Sequence, residues 1–503
     1  MKHLFTLAAF YTAALFGQTT FWTPTVYRGA FEPAPAPMWT DSWTNFDPQS
    51  TVYPTPTDVV SDSITVNTTW TSNKTYLVQG PLYVKANLTI QPGTVVLFDK
   101  TAAGSALIIT NKGKLFADGL VSSPIVFASN AAPGQRNIGD WGGIVLLGTA
   151  KNNLPANAAA GIPAGIGYVE GLPTSKNTQY GGNNDQDTSG VLRYIRIEFA
   201  GYAYQPDKEI NGLTFGSVGS GTVVDYVQVS FANDDAFEWF GGAVTCKHIV
   251  SYRNLDDDFD TDFGYHGKVQ FGLIIRDPFI ADQSASSTSE GFESDNDGSG
   301  SNNGPKTSAV FSNVTAIGPL RGNLQAAIDP KFRRALRLRR NTELKVYNSV
   351  FMDFKEGVHI DGTATETNAL AGTLAFKHNV IAGCVTKYVS RVTNPSFDAG
   401  AWFLASNNDT VVSTSGLLMN PYNYLTGDYR PTHASIVASG ADFTDTNLIG
   451  NNISVGEDQL DVTYEIYDWY GNLVYIGKHI PYEKLKGLYV IKYSGKLEKV
   501  FVY

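Results

Sequence analysis

The chain has 503 residues, more than one ordinary domain, with 49 glycines, 12% aromatic residues, only 17% charged residues and a formal net charge of −10. Hardly any helical periodicity runs through it, which excludes a helix bundle and points to an all-β protein of short strands and tight turns. The acidic balance argues against nucleic-acid phosphates or anionic membranes as partners and makes cations the more natural ones.

The first residues, Met1-Lys2-His3 and then LFTLAAFYTAALFG, combine a short basic start, an apolar run too short to span a bilayer, and Gly17 ahead of Gln18. This reads as a secretory signal peptide over residues 1–17, cut near Gly17. No cysteine stands directly after the apolar run, so a lipoprotein lipobox is missing, and no later stretch has the length and apolarity of a transmembrane helix. The expected product is exported. Residues 18–60 are dense in Pro, Thr and aromatics, which suits neither helix nor central strand. They are expected to form an extended arm whose Trp39, Trp43 and Phe46 pack onto the start of the next domain and cap it. Stacking of these rings on a sugar is the functional alternative.

Regular punctuation starts near residue 61 and runs to 384. Leu88-Thr89-Ile90, Val95-Val96-Leu97-Phe98, Ala106-Leu107-Ile108-Ile109 and Lys114-Leu115-Phe116-Ala117 are short apolar strands separated by Gly, Asn and Lys-Gly turns. Residues 150–190 are small and polar without periodicity and read as a surface excursion from one coil. The clearest repeat follows. Phe237-Glu238-Trp239-Phe240-Gly241 returns as Phe259-Asp260-Thr261-Asp262-Phe263-Gly264, a period of 22 residues. Such a period is the coil length of a parallel β-helix, a solenoid that can run long because each coil contacts only its neighbours. Strand alternation turns Glu238, Asp260 and Asp262 outward and Trp239 and Thr261 inward.

Aligned on this period, Asn313, Asn348 and Asn379 fall at one position and read as a structural asparagine ladder bonding coil to coil. Cys246 and Cys384 fall four coils apart, roughly 19 Å at about 4.8 Å per coil, so two buried free thiols are expected. The repeat fades near 385. Residues 385–450 read as an irregular cap over the open end. Residues 451–503 read as a small Ig-like β-sandwich of alternating strands with Gly turns.

The blocks IYDWYGNLVY, LKGLYVIKYSGK and KVFVY in that last segment resemble the C-terminal sorting domain of proteins exported by the type IX secretion system of Bacteroidetes-type bacteria. The resemblance implies the type IX machinery as a partner and a secreted or cell-surface location. The Asn-Pro start usual in such domains is absent. WTDSWTNFDPQSTVYP, LTIQPGTVVLFD, WGGIVLLG, NDDAFEWFGG and DDDFDTDF resemble a group of exported right-handed β-helix proteins from the same phylum. That resemblance implies a right-handed parallel β-helix and an exported chain, and no particular chemistry.

Continuing the register downstream stacks Glu238, Asp260, Glu293, Arg337 and His359 in one outward column and Asp262, Asp295, Arg339 and Asp361 in the next. Neighbours lie roughly 5 Å apart, so these carboxylates must share protons, pair with arginine or bind a cation. Three readings follow. In the first, Glu293 and Asp295 pair with Arg337 and Arg339 in a structural ladder. In the second, Asp260, Asp262, Glu293 and Asp295 hold Ca²⁺, a hard cation that takes several carboxylate oxygens. In the third, Glu238, Asp260, Glu293, Arg337 and His359 cleave a polysaccharide. As a hydrolase one acid protonates the leaving oxygen and another acts as base; as a lyase, calcium and Arg337 neutralise a uronate while a base takes the α-proton. Gly264-Tyr265-His266-Gly267 resembles the Gly-His-Gly element of polygalacturonases, with a Tyr inserted and without that family's other motifs in order. His266 and His359 read first as turn or ladder residues.

Two loops, residues 278–289 and 297–306, flank the face as expected binding walls. Serine elbows, phosphate loops, zinc-spaced His/Cys clusters and dinucleotide fingerprints are all missing in a suitable context. The expected role is a binding or structural module for glycans or other extracellular ligands. A calcium-dependent lyase or a glycoside hydrolase is the alternative.

Overall fold

The computed structural model describes residues 21–205, 208–285, 287–391 and 394–449, with the strands Tyr464–Asp468, Leu473–Gly477, Gly487–Tyr493 and Lys496–Val502. Residues 1–17, read as a signal peptide, and residues 451–463 lie outside the described residues. Phe21–Leu448 forms one compact unit, a right-handed parallel β-helix with its flanking segments. In the other unit the described strands form a four-stranded antiparallel sheet, Leu473–Gly477 beside Tyr464–Asp468, then Gly487–Tyr493 and Lys496–Val502. Among the described residues no helix is long and apolar enough to cross a membrane.

Each coil of the β-helix contributes to two sheets, one of 17 strands and one of 11. The larger sheet bends sharply along its length and so supplies two faces of a three-sided coil. Its central strands, Gly190–Glu198, Val223–Ser230, Thr245–Tyr252, Lys268–Ile275 and Val310–Ile317, pair in parallel on both sides of the bend and skip one residue at it. The skipped residues Tyr194, Tyr226, His248, Phe271 and Asn313 all have positive φ, between 47° and 64°. A left-handed residue inserted between two extended stretches resets the alternation, so Leu192, Ile195 and Ile197, like Val224, Val227 and Val229, all reach the core. Left-handed backbone costs a non-glycine residue about 1–2 kcal/mol. Ring stacking offsets that here: Tyr194 on Tyr226 at 4.4 Å, Tyr226 on His248 at 4.3 Å and His248 on Phe271 at 4.9 Å.

This corner corrects the asparagine ladder. Asn313 and Asn348 share the left-handed position with His378, whereas Asn379 stands one residue later, level with Ser349. The two positions serve different ends. Asn313 and Asn348 face outward, donating to the Tyr27 and Asp442 carbonyls of the flanking segments. Asn379 faces the stack: its Oδ1 accepts from the Ser349 amide at 2.9 Å, and its own amide donates to Asn408 at 2.8 Å. Simple counting of the period overlooks the residue that the bend absorbs.

The arm is also placed differently from the expectation. It lies lengthwise along the bend, from late coils back to the first, and does not cap the start. Gly29 donates to the Asn348 carbonyl at 2.7 Å, Asn45 and Gln228 exchange two 2.8 Å hydrogen bonds, and Thr57 meets Thr75 at 2.8 Å. At Gly29 (φ +87°) a Cβ would stand 2.5 Å from Thr315 Oγ1, so only glycine lets the arm lie this close. Trp43 is fully buried, its ring 6.0 Å from Tyr194 and 5.9 Å from Tyr226. The rings of the arm bury the exposed edge of the aromatic corner.

The repeat persists beyond residue 384: Thr386–Val389 extends the smaller sheet and Asp409–Val411 the larger. The short helix Ala399–Ala405 closes the end, with Phe403 5.9 Å from Phe376 and 5.2 Å from Tyr388. The chain then returns along the arm, with Tyr429 5.9 Å from Phe31. Cys246 and Cys384 are free and buried, as the coil count requires.

Candidate functional site

The strands Phe237–Phe240, Phe259–Asp262, Phe292–Ser294, Arg334–Arg339 and Glu356–Asp361 are consecutive neighbours in the smaller sheet. Phe237, Phe259, Phe292, Leu336 and Val358 fill the core from one column. On the opposite side of the same strands the register stacks Glu238, Asp260, Glu293, Arg337 and His359, and beside them pairs Phe240 with Asp262 and Arg339 with Asp361. This column is not an open wall. Glu238, Glu293 and His359 are only 6%, 8% and 2% exposed, and Asp260, Asp262 and Arg337 are half-buried. Period and alternation fix the direction of a side chain; they carry no information on what a distant loop lays over it.

Basic residues neutralise the downstream half. Arg337 reaches Glu293 at 3.7 Å and Asp361 at 3.1 Å, Arg339 pairs with Glu293 and holds Asp295 at 2.8 Å, and Arg340 holds Asp295 at 2.7 Å. Burial pushes Glu293 up to about 7 against the pull of Arg339. His359 is held down at about 4 by burial and by the Arg334 charge, so it is neutral at pH 7; its Nδ1 faces Arg391 at 3.5 Å.

Upstream the column is acidic. Burial, reinforced by neighbouring carboxylates, raises Asp235, Glu238, Asp257, Asp260 and Asp262 well above the usual carboxylate range. Carboxylate oxygens of Asp235, Glu238 and Asp260 lie within 4.8 Å of one another, as do those of Asp234, Asp235 and Asp256, and either group could hold a metal ion. Of the four carboxylates expected to gather round calcium, only Asp260 belongs to such a group. Glu293 and Asp295 turn to arginine instead, so the acidic cluster lies one coil earlier than the sequence placed it.

A further column, three residues earlier in every coil, escaped the sequence reading: Asp235, Asp257, Glu290, Arg334 and Glu356. Its first three carboxylates each cap the backbone of the next coil, while Glu356 pairs with Arg334 at 3.3 Å and with Arg391. Asp235 Oδ1 accepts from the Asp257 amide at 2.9 Å, Asp257 Oδ1 from Glu290 at 2.5 Å, and Glu290 Oε2 from Arg334 at 2.7 Å. The signal was a constant offset of three from Glu238, Asp260, Glu293, Arg337 and His359. Asp235, Asp257 and Glu290 lie just outside the strands, where alternation gives no direction, and Arg334 and Glu356 are the first residues of theirs.

The excursion from residues 150–190 folds back over the acidic half and forms with it a half-open cavity of about 540 Å³. Leu154, Pro155, Ile162, Tyr168 and Glu170 line it from the excursion, and Glu238, Phe240, Asp262 and Phe263 from the coils. Tyr180 packs on Phe240 at 6.3 Å, and Phe240 on Phe263 at 5.7 Å. A Cβ at Gly167 would stand 2.5 Å from the Tyr180 ring, so glycine lets the excursion's own two short strands close on each other. Of the two loops expected as walls, the first brings Ser287 Oγ to Asp256 at 3.1 Å. The second winds around Asp297, whose Oδ1 accepts from the Ser299 and Ser301 amides at 2.9 and 3.1 Å. His266 stays in its turn, its Nδ1 2.8 Å from the Gly264 carbonyl.

Residues 62–416 match the model of a family described as a pectate-lyase-like β-helix domain. A solved structure, the crystal structure of the Dettilon tailspike protein, is 11% identical with a TM-score of 0.25; the match covers 66% of this chain and 61% of that one. No curated protein matches.

Proposed function

The chain belongs to the pectate-lyase-like β-helix family, and from that premise we propose that it binds glycans in the cavity between the excursion and the acidic coils. The observation that carries this reading is the lining: aromatic rings at Tyr168, Tyr180, Phe240 and Phe263 beside carboxylates at Glu170, Glu238 and Asp262. Sugar rings offer apolar faces to the one and hydroxyl donors to the other. The excursion walls one side of the site, which limits the water that competes for those hydrogen bonds.

Cleavage is the second reading, favoured by the approach of Asp235, Glu238 and Asp260 within 4.8 Å. Carboxylates so close and so buried keep a proton at neutral pH, which equips one as general acid and its ionised neighbour as base. The lyase form draws less support, because Arg337 is engaged by Glu293 and Asp361. Calcium belongs to this reading as a charge-neutralising ion at the acidic cluster.

Incubating the full chain with a panel of neutral, amino and uronate-rich glycans, with and without a chelator, tests both. Retention without products supports the binding reading, new reducing ends a hydrolase, and chelator-sensitive unsaturated products a lyase. Retention of no glycan at all would sink the reading. For export, the segment 451–503 is proposed as a type IX sorting signal that delivers the chain to the surface of a Bacteroidetes-type cell. Unaltered display after its deletion would overturn that.

A further inference from the structure

We infer that the glycan taken by this cavity carries free, positively charged amino groups, as an oligosaccharide of glucosamine does, and that Glu238, Asp262 and Tyr180 receive one of its ammonium groups. The inference rests on the glycan-binding reading and narrows it. Its ground is the mismatch between what the cavity presents and what the protein supplies to meet it.

Glu170, Glu238 and Asp262 line the cavity, and no Lys or Arg is among its lining residues. Among the described residues no cationic side chain forms an ion pair with Glu238 or Asp262. Each carboxylate is held by one neutral donor, Glu238 by the Asn211 amide and Asp262 by the Phe263 backbone at 2.6 Å, which orients it and leaves acceptor capacity over. A uronate placed here would set another carboxylate against carboxyls that already hold protons on one another, whereas an ammonium lets them ionise. A neutral sugar would leave the repulsion between Glu238, Asp260 and Asp262 as it stands.

An independent observation comes from Tyr180. Its side chain is 2% exposed and lines the cavity, yet among the described residues no group hydrogen-bonds its hydroxyl. The hydroxyl is left to the open space of the cavity, where a ligand can pair with it. Burial and the surrounding carboxylates keep the phenol protonated, and a neutral phenol can accept from an ammonium N–H while its own proton turns to a carboxylate or a sugar oxygen. Charge-assisted hydrogen bonds to Glu238 and Asp262 would then be made at the inner wall of the cavity, where Glu238 is only 6% exposed. The rings of Tyr168 and Phe240 add cation–π attraction and a face for the sugar. A volume of about 540 Å³ admits a short oligosaccharide.

Calorimetric titration of the full chain is the test. Its ligands are glucosamine oligomers, their N-acetylated equivalents, neutral glucose oligomers, galacturonate oligomers, spermine and calcium alone. The glucosamine oligomer is expected to bind at least tenfold more tightly than its N-acetylated twin. Glu238→Gln and Asp262→Asn should each lose at least tenfold, and Tyr180→Phe a smaller, several-fold part. Equal affinity for the N-acetylated or neutral oligomer would overturn the ammonium assignment and leave glycan binding intact. Binding of no oligosaccharide would overturn both. Tighter binding of spermine than of the sugar, or displacement of the sugar by calcium, would reassign the carboxylates to another cation. The acetylation comparison uses the unaltered protein and so does not depend on any variant folding.

Discussion

Asp258 and Asp260 stand two residues apart with opposite solutions to the same problem. Asp258 is fully buried inside the stack and meets Arg276, also fully buried, at 2.6 Å, and burial still lifts it to about 6 against that arginine. Asp260 faces Glu238 and Glu293, with one oxygen buried and without a hydrogen bond. A carboxylate raised on folding binds a proton that the unfolded chain has released. Its stabilisation is therefore complete below its ordinary pKa and is lost as pH rises through the folded value. With Asp258 at about 6 and Glu293 at about 7, the unfolding midpoint in chelator should fall between pH 5.5 and 8. His359, held at about 4, works the other way, losing stability as pH drops below its ordinary 6.5, but it is one group against several. Asp260→Asn removes the charge and keeps the shape. It should raise stability at pH 8 by on the order of 1–3 kcal/mol and flatten the pH dependence. Thermal unfolding at the two pH values checks this, and a destabilised variant at pH 8 would contradict it. The Glu238-Asp260-Glu293-Arg337-His359 column was legible in the sequence because strand alternation is local. The Asp235 column was not, because Asp235, Asp257 and Glu290 leave from positions outside the strands.

At the scale of the coil, the decisive element is the left-handed corner. Tyr194, Tyr226, His248, Phe271, Asn313, Asn348 and His378 occupy one backbone position in successive coils despite unrelated side chains. What they share is φ, between 47° and 64°. Replacing His378 by glycine or by valine removes the same 3.3 Å contact to Asp442, so the two variants differ mainly in backbone freedom. The valine variant should be less stable than the glycine variant by about 1–2 kcal/mol in denaturant titration. Equal stabilities would mean that the corner is not strained. A corner built from seven residues, only two of them asparagine, offers no compositional signal, and this is why the asparagine ladder was drawn one residue off.

For the whole molecule, stability comes from one continuous core threaded through every coil and a second apolar layer where the arm and the returning C-terminal segment cover the corner. Neither layer uses a covalent link: Cys246 and Cys384 are separate and buried, and burial pushes the Cys384 thiol up to about 12. Reductant should leave the unfolding midpoint unchanged. Alkylation should be slow in the native chain and fast in denaturant; a prompt native reaction at either thiol would show that coil to be open.

The sequence by itself determined the repeat length, the side of each strand that faces the core, the spacing of the cysteines and the change of sign along the Glu238 to His359 column. These follow from local rules of period and alternation that each coil obeys independently. The tertiary structure decided what covers that column. The excursion of residues 150–190 has no periodicity, so its docking depends on contacts such as Tyr180 against Gly216 and Phe240, between residues distant in sequence. Through that docking the upstream half of a solvent-facing charge ladder becomes the inner wall of a half-open cavity that holds the carboxylates of Glu238 and Asp262.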